Sequence, residues 1–85
     1  MKIPQVERWE CVRVEWVDSC GPKHGWHKAA KKEQQVAHCV SGGLVFAQDA
    51  ECLSLVLSRD TDSKAIDGII TIPNVAITAF EHLSA

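Results

Sequence analysis

The sequence predicts a mainly β fold, a small and strongly bent five-stranded barrel, with one short helix or an extended loop open as alternatives in its long first connection. Three observations carry that class. Short stretches rich in β-branched and apolar residues alternate in polarity, turn-forming residues separate them, and a glycine pair falls inside an extended stretch. With 85 residues, the chain supports one domain, 1–85, near the size at which a single core stabilises itself unaided, so a partner subunit is expected. Its composition, 46% hydrophobic and 24% charged, is that of an ordinary globular domain.

Residues 1 to 8 are polar and read as a loosely packed lead-in. From Trp9 to Val17 the polarity alternates, placing Val12, Val14 and Trp16 on an inner face and Cys11, Arg13 and Glu15 on an outer one. Asp18-Ser19-Cys20-Gly21-Pro22 has turn chemistry and is expected to end that strand. Within the connection that follows, His27 to His38 contains good helix formers but only a thin apolar stripe, so a short helix and an extended loop stand as equals. Val36 to Ala47 is extended, with Gly42-Gly43 as its bend. Gln48 to Glu51 is a hairpin connection to Cys52–Ser58, where alternation puts Leu53, Leu55 and Leu57 inward and Ser54, Val56 and Ser58 outward. A polar turn from Arg59 to Asp67 leads to a fourth strand, Gly68 to Ile72, stopped by Pro73-Asn74. Val75 to Leu83 fits a fifth strand; Ile77, Phe80 and Leu83 also fit one helical face, and the strand is preferred.

The N-terminus has no apolar secretory region and no stretch is long enough to span a membrane, which predicts a cytoplasmic protein with reduced cysteines at 11, 20, 39 and 52. The formal charge of −2 is unevenly spread. Lys23, Lys28, Lys31 and Lys32 follow one another with no acid between them, and without them the chain has five basic against eleven acidic residues. A basic segment on an acidic body attracts phosphates or the acidic side of another copy, while its simplest role is to keep a surface wet.

The order of strand, long loop, three strands joined by short turns, a proline jog and a last strand resembles the SH3-like and Sm-like small barrels. Asp67 to Val75, D-G-I-I-T-I-P-N-V, is similar to the ending of SH3 domains, which implies a one-turn 3₁₀ helix before the last strand. The chain has no tyrosine and lacks the Ala-Leu-Tyr-Asp-Tyr start of peptide-binding SH3 domains, so their polyproline groove is not implied. Val12 to Asp18, Gly25-Trp26 and Ile72-Pro73 with Ile77 resemble small proteins of bacteriophages and prophages. The Sm-like resemblance implies a ring oligomer with an RNA or nucleotide ligand, although the Sm signature residues are not recognisable.

Lys23, His24, Trp26, His27, Lys28, Lys31 and Lys32 are the candidate ligand-binding residues, because a flat aromatic among cations can stack a base while lysines meet phosphate. Trp26 equally suits an anchor that fixes the loop to the barrel, while Trp16 reads as core and Trp9 as the cap of a barrel end or interface. Cys20, His24 and His27 with His38 or Cys39 could supply four zinc ligands, but the spacing is not a standard one and no metal or other cofactor is expected. Cys39-His38 and Cys20-His24 lack a recognisable oxyanion site, so no catalytic residues are assigned. The expectation is a non-enzymatic, oligomeric binding protein, a phage accessory factor for an anionic ligand such as a nucleotide or single-stranded nucleic acid. The alternative is a structural or protein-interaction module whose lysines meet an acidic partner or neighbouring subunit.

Overall fold

The computed structural model describes residues 1–19 and 36–83. They form five strands, β1 (Cys11–Ser19), β2 (Val36–Gln48), β3 (Cys52–Arg59), β4 (Ile66–Pro73) and β5 (Ile77–His82), with a one-turn 3₁₀ helix at Asn74–Ala76. All pairings are antiparallel, and the strands lie in one sheet in the order β4-β3-β2-β1-β5, left open between β4 and β5. The 3₁₀ turn stands where Pro73 removes a ladder donor.

β2 is the strand the others share. Val36 to Leu44 pair with β1, whereas only Leu44 to Gln48 pair with β3. The changeover follows directly on Gly42-Gly43, the bend expected there. A Cβ on Gly43 would stand 2.8 Å from the Val56 carbonyl oxygen and 3.3 Å from Leu55 Cβ, so the backbones of β2 and β3 approach more closely than any side chain permits. Just beyond, the β2–β3 register shifts between Val45 and Ala47, leaving Phe46 as an extra, bulged residue.

The core joins Val12 and Val14 of β1 to Val45, Leu53, Leu55, Ile72 and Ile77, all almost completely buried, with Trp16, Ile70 and Phe80 packed at its margin. Burying each aliphatic side chain contributes about 1.5 to 3 kcal/mol. Trp16 satisfies its indole by donating Nε1–H to Ser41 Oγ at 2.9 Å. The inner face of β1 is therefore the one its alternation indicates.

Three expectations need correction, and a fourth falls largely outside the described residues. The lead-in is not loose: Val6 is buried in the core, its N–H donates to Gln48 Oε1 at 3.1 Å, and Gln48 Nε2 donates to Pro4 O at 2.8 Å. One β2 side chain thus fastens a segment that lacks a strand pattern of its own. β1 does not stop at Asp18 but runs to Ser19, because Asp18 and Ser19 find backbone partners in Ala37 and Val36. Of the stretch His27 to His38, Val36 to His38 are strand and the rest lies outside the described residues. In β3, Val56 is buried and Leu57 is 71% exposed, the reverse of simple alternation. Leu57 lies beyond the paired part of β2 and faces Gly68, whose missing side chain leaves it no cover; Val56 is shielded between its register partners Leu44 and Ile69, outside the main core.

The β2–β3 turn is built on Asp49, whose carboxylate Oδ1 accepts the backbone N–H groups of Glu51 and Cys52, each at 2.8 Å. The bonds from Cys52 and then Glu51 hold its carboxyl below the usual 3.8. A lowered acid pKa stabilises the fold above its unfolded value, and that contribution is lost as pH falls through the folded value. Thermal melts of Asp49→Ala should therefore show a lower midpoint than wild type at neutral pH, with the gap narrowing as pH drops below 3.8; a gap independent of pH would refute the role of the carboxylate. At the bend, Gly43→Ala should cost about 1 to 3 kcal/mol in denaturant unfolding, because the methyl must displace backbone. Gly42→Ala, whose Cβ meets nothing closer than 3.7 Å, should cost less than about 1 kcal/mol.

Candidate functional site

The seven expected ligand-binding residues, Lys23, His24, Trp26, His27, Lys28, Lys31 and Lys32, lie outside the described residues, as do Cys20 and Gly21-Pro22. What the fold shows is their mounting. Ser19 and Val36 are register partners, so the segment leaves and rejoins the sheet at one end of the β1–β2 ladder.

His38 and Cys39 lie in β2 and are consecutive, so the pleat sends their side chains to opposite faces of the sheet. Cys39, partly buried, donates Sγ–H to Ala37 O at 3.7 Å, and His38 is exposed. That geometry separates them as a nucleophile and base. It equally prevents them from turning together to one ion, and among the described residues no group of three His, Cys, Asp or Glu side chains is placed to hold a metal. Cys52 is a thiol at the Asp49 turn, where burial and then the Asp49 carboxylate push its pKa upward, which disfavours the reactive thiolate.

At the other end of the ladder the structure assembles a constellation that sequence order does not display. The chain turns at Arg8-Trp9 before entering β1, and Trp9 has φ of 75°, a left-handed backbone that costs a bulky residue about 1 to 3 kcal/mol. Two hydrogen bonds to β2 hold this turn, Trp9 N–H to Val45 O at 2.7 Å and Val45 N–H to Glu10 O at 2.8 Å. The Trp9 ring meets that of Phe46 with centroids 6.0 Å apart and planes tilted at 51°. The bulge at Phe46 and the strained turn at Trp9 thus supply the two halves of one aromatic pair.

Two guanidiniums are held on these rings. Arg8 lies 4.8 Å from the Trp9 centroid and 4.9 Å from that of Phe46, and Arg59, at the end of β3, lies 4.1 Å from Trp9. Both charges sit on one ring, hence at most about 9 Å apart, where they repel by about 0.5 to 2 kcal/mol for effective dielectrics of about 80 to 20. Among the described residues no carboxylate pairs with either: Arg13 takes Glu15 at 3.3 Å, and Glu10, although next to Trp9, directs Oε2 towards His82 Nε2 at 3.7 Å. Arg59 Nε is shielded from solvent and has no hydrogen-bond acceptor.

The sequence signal for this cluster was slight. Arg8-Trp9 is visible as a basic aromatic pair, but nothing linear ties it to Phe46, displaced by a bulge, or to Arg59 at the far end of another strand. Trp9 as the cap of an end is compatible with this packing. Among the described residues no helix is long and apolar enough to cross a membrane. No family model, curated protein or solved structure matches the chain, and its chemistry is therefore argued from these residues themselves.

Proposed function

We propose that the chain is a non-enzymatic binding protein, acting as an oligomer, that takes an anionic ligand such as a nucleotide or single-stranded nucleic acid on its basic segment. The observation that carries this is compositional: Lys23, Lys28, Lys31 and Lys32, with His24 and His27, surround Trp26 without an intervening acid, on a chain whose remainder is acidic. Lysines attract phosphate over a Debye length, about 8 to 10 Å, and a tryptophan face then holds a base. The segment leaves the sheet after Ser19 and rejoins it at Val36, and these two residues are register partners.

The strand order and the 3₁₀ turn between β4 and β5 support an SH3-like or Sm-like barrel as the scaffold. Small size supports a partner subunit. The association with phages rests on the sequence resemblance alone.

Fluorescence anisotropy with labelled oligonucleotides and cyclic nucleotides tests the proposal. Binding should weaken as salt rises, with a slope of about −0.7 for each phosphate neutralised on a single strand. Lys31→Glu should weaken it further, and Trp26→Ala should lose about 1 to 3 kcal/mol if one base is stacked. An absence of binding at low salt, or affinity indifferent to both substitutions, would sink the proposal.

A further inference from the structure

We infer that Arg8 and Arg59, held by Trp9 and Phe46, form a second binding site, one for a phosphomonoester group. It uses no residue of the basic segment. The β1–β2 ladder runs from Ser19↔Val36 at the mounting of that segment to Cys11↔Leu44 beside the cluster, roughly 25 Å at the rise of an extended strand.

The argument begins with charge. Two guanidiniums are gathered on one indole with no acid among the described residues to neutralise them, and a carboxylate that chain order places beside them is turned to His82 instead. A bound anion removes that repulsion. Because the pair carries two positive charges, it matches a phosphomonoester of about −1.5 to −2 better than a carboxylate or an internal phosphodiester, each of which brings one.

Hydrogen bonding points the same way. A guanidinium presents five N–H donors in a planar fork suited to phosphate oxygens, and a ring beneath it fixes the plane without consuming a donor. Arg59 Nε–H is shielded from solvent and has no acceptor within the fold. Arg8 is exposed and Arg59 partly so, and the group can therefore be reached from solvent. The strained backbone at Trp9 and the bulge at Phe46 bring the two rings together, and each guanidinium lies against the Trp9 ring.

The ligand that carries the group can be a free nucleotide or the phosphorylated end of a strand. Isothermal titration with inorganic phosphate, a nucleoside 5′-monophosphate, and one short oligonucleotide in 5′-phosphorylated and 5′-hydroxyl forms separates these sources. Wild type should bind the 5′-phosphorylated oligonucleotide or the monophosphate at least about tenfold more tightly than the same molecule lacking phosphate. Arg8→Gln and Arg59→Gln should abolish that difference, and Arg59→Lys should restore little of it, since charge without the fork is insufficient. Lys31→Glu should lower the affinity for both oligonucleotides alike and leave the difference intact, so failure of the loop and failure of this site are told apart.

A difference that survives both arginine substitutions, or one removed by Lys31→Glu instead, would overturn the assignment. Should the variants not fold, the wild-type protein decides: in ¹⁵N-labelled protein the Arg59 Nε–H resonance should move on titration with inorganic phosphate, and a resonance that stays in place overturns the site.

Discussion

The structure depends on the close approach of two backbones at Gly43. One long strand has to serve two ladders, pairing with β1 along its first part and with β3 along its last. At the changeover the Val56 carbonyl comes so near that only a residue without a Cβ fits. Everything built from the second ladder, including the Leu53 and Leu55 share of the core and the position of β4, is placed relative to the first through that contact. A side chain there would separate the ladders and open the one apolar cluster they share.

The same constraint explains what lies around it. Once β2 turns from one partner to the other, its register against β3 cannot stay regular, and Phe46 is expelled as the bulged residue. The chain before β1 then crosses the end of the sheet, held by the Gln48 amide on Pro4 and Val6 and by the Val45 backbone on Trp9. To meet both fasteners it must turn sharply at Arg8-Trp9, which is where the left-handed backbone occurs. The aromatic pair, and the two arginines upon it, are consequences of how β2 changes partners.

This hierarchy also decides what could be read from the sequence. The inner face of β1, the bend at Gly42-Gly43, the Asp49 hairpin and the proline jog are local: each follows from alternation or from a residue whose backbone chemistry has few alternatives. The reversal of Val56 and Leu57 was not legible, since it depends on where β2 stops pairing and on Gly68 across the hairpin. Burial of Val6 was hidden for the same reason, its partner being a glutamine forty-two residues away. Lys23 to Lys32 could be identified as a cationic run because charge needs no partner to be noticed, whereas Arg8 and Arg59 acquire meaning only when strands bring them to one ring.

Charge is then distributed in a way that bears on function. Electrostatic attraction by lysines is long in range and undemanding in geometry; a stacked guanidinium acts at contact and in one plane. The first kind of group is concentrated in the connection mounted at Ser19 and Val36, and the second at the turn before β1. An anionic chain laid along the β1–β2 hairpin could be drawn in by one end and fixed by the other.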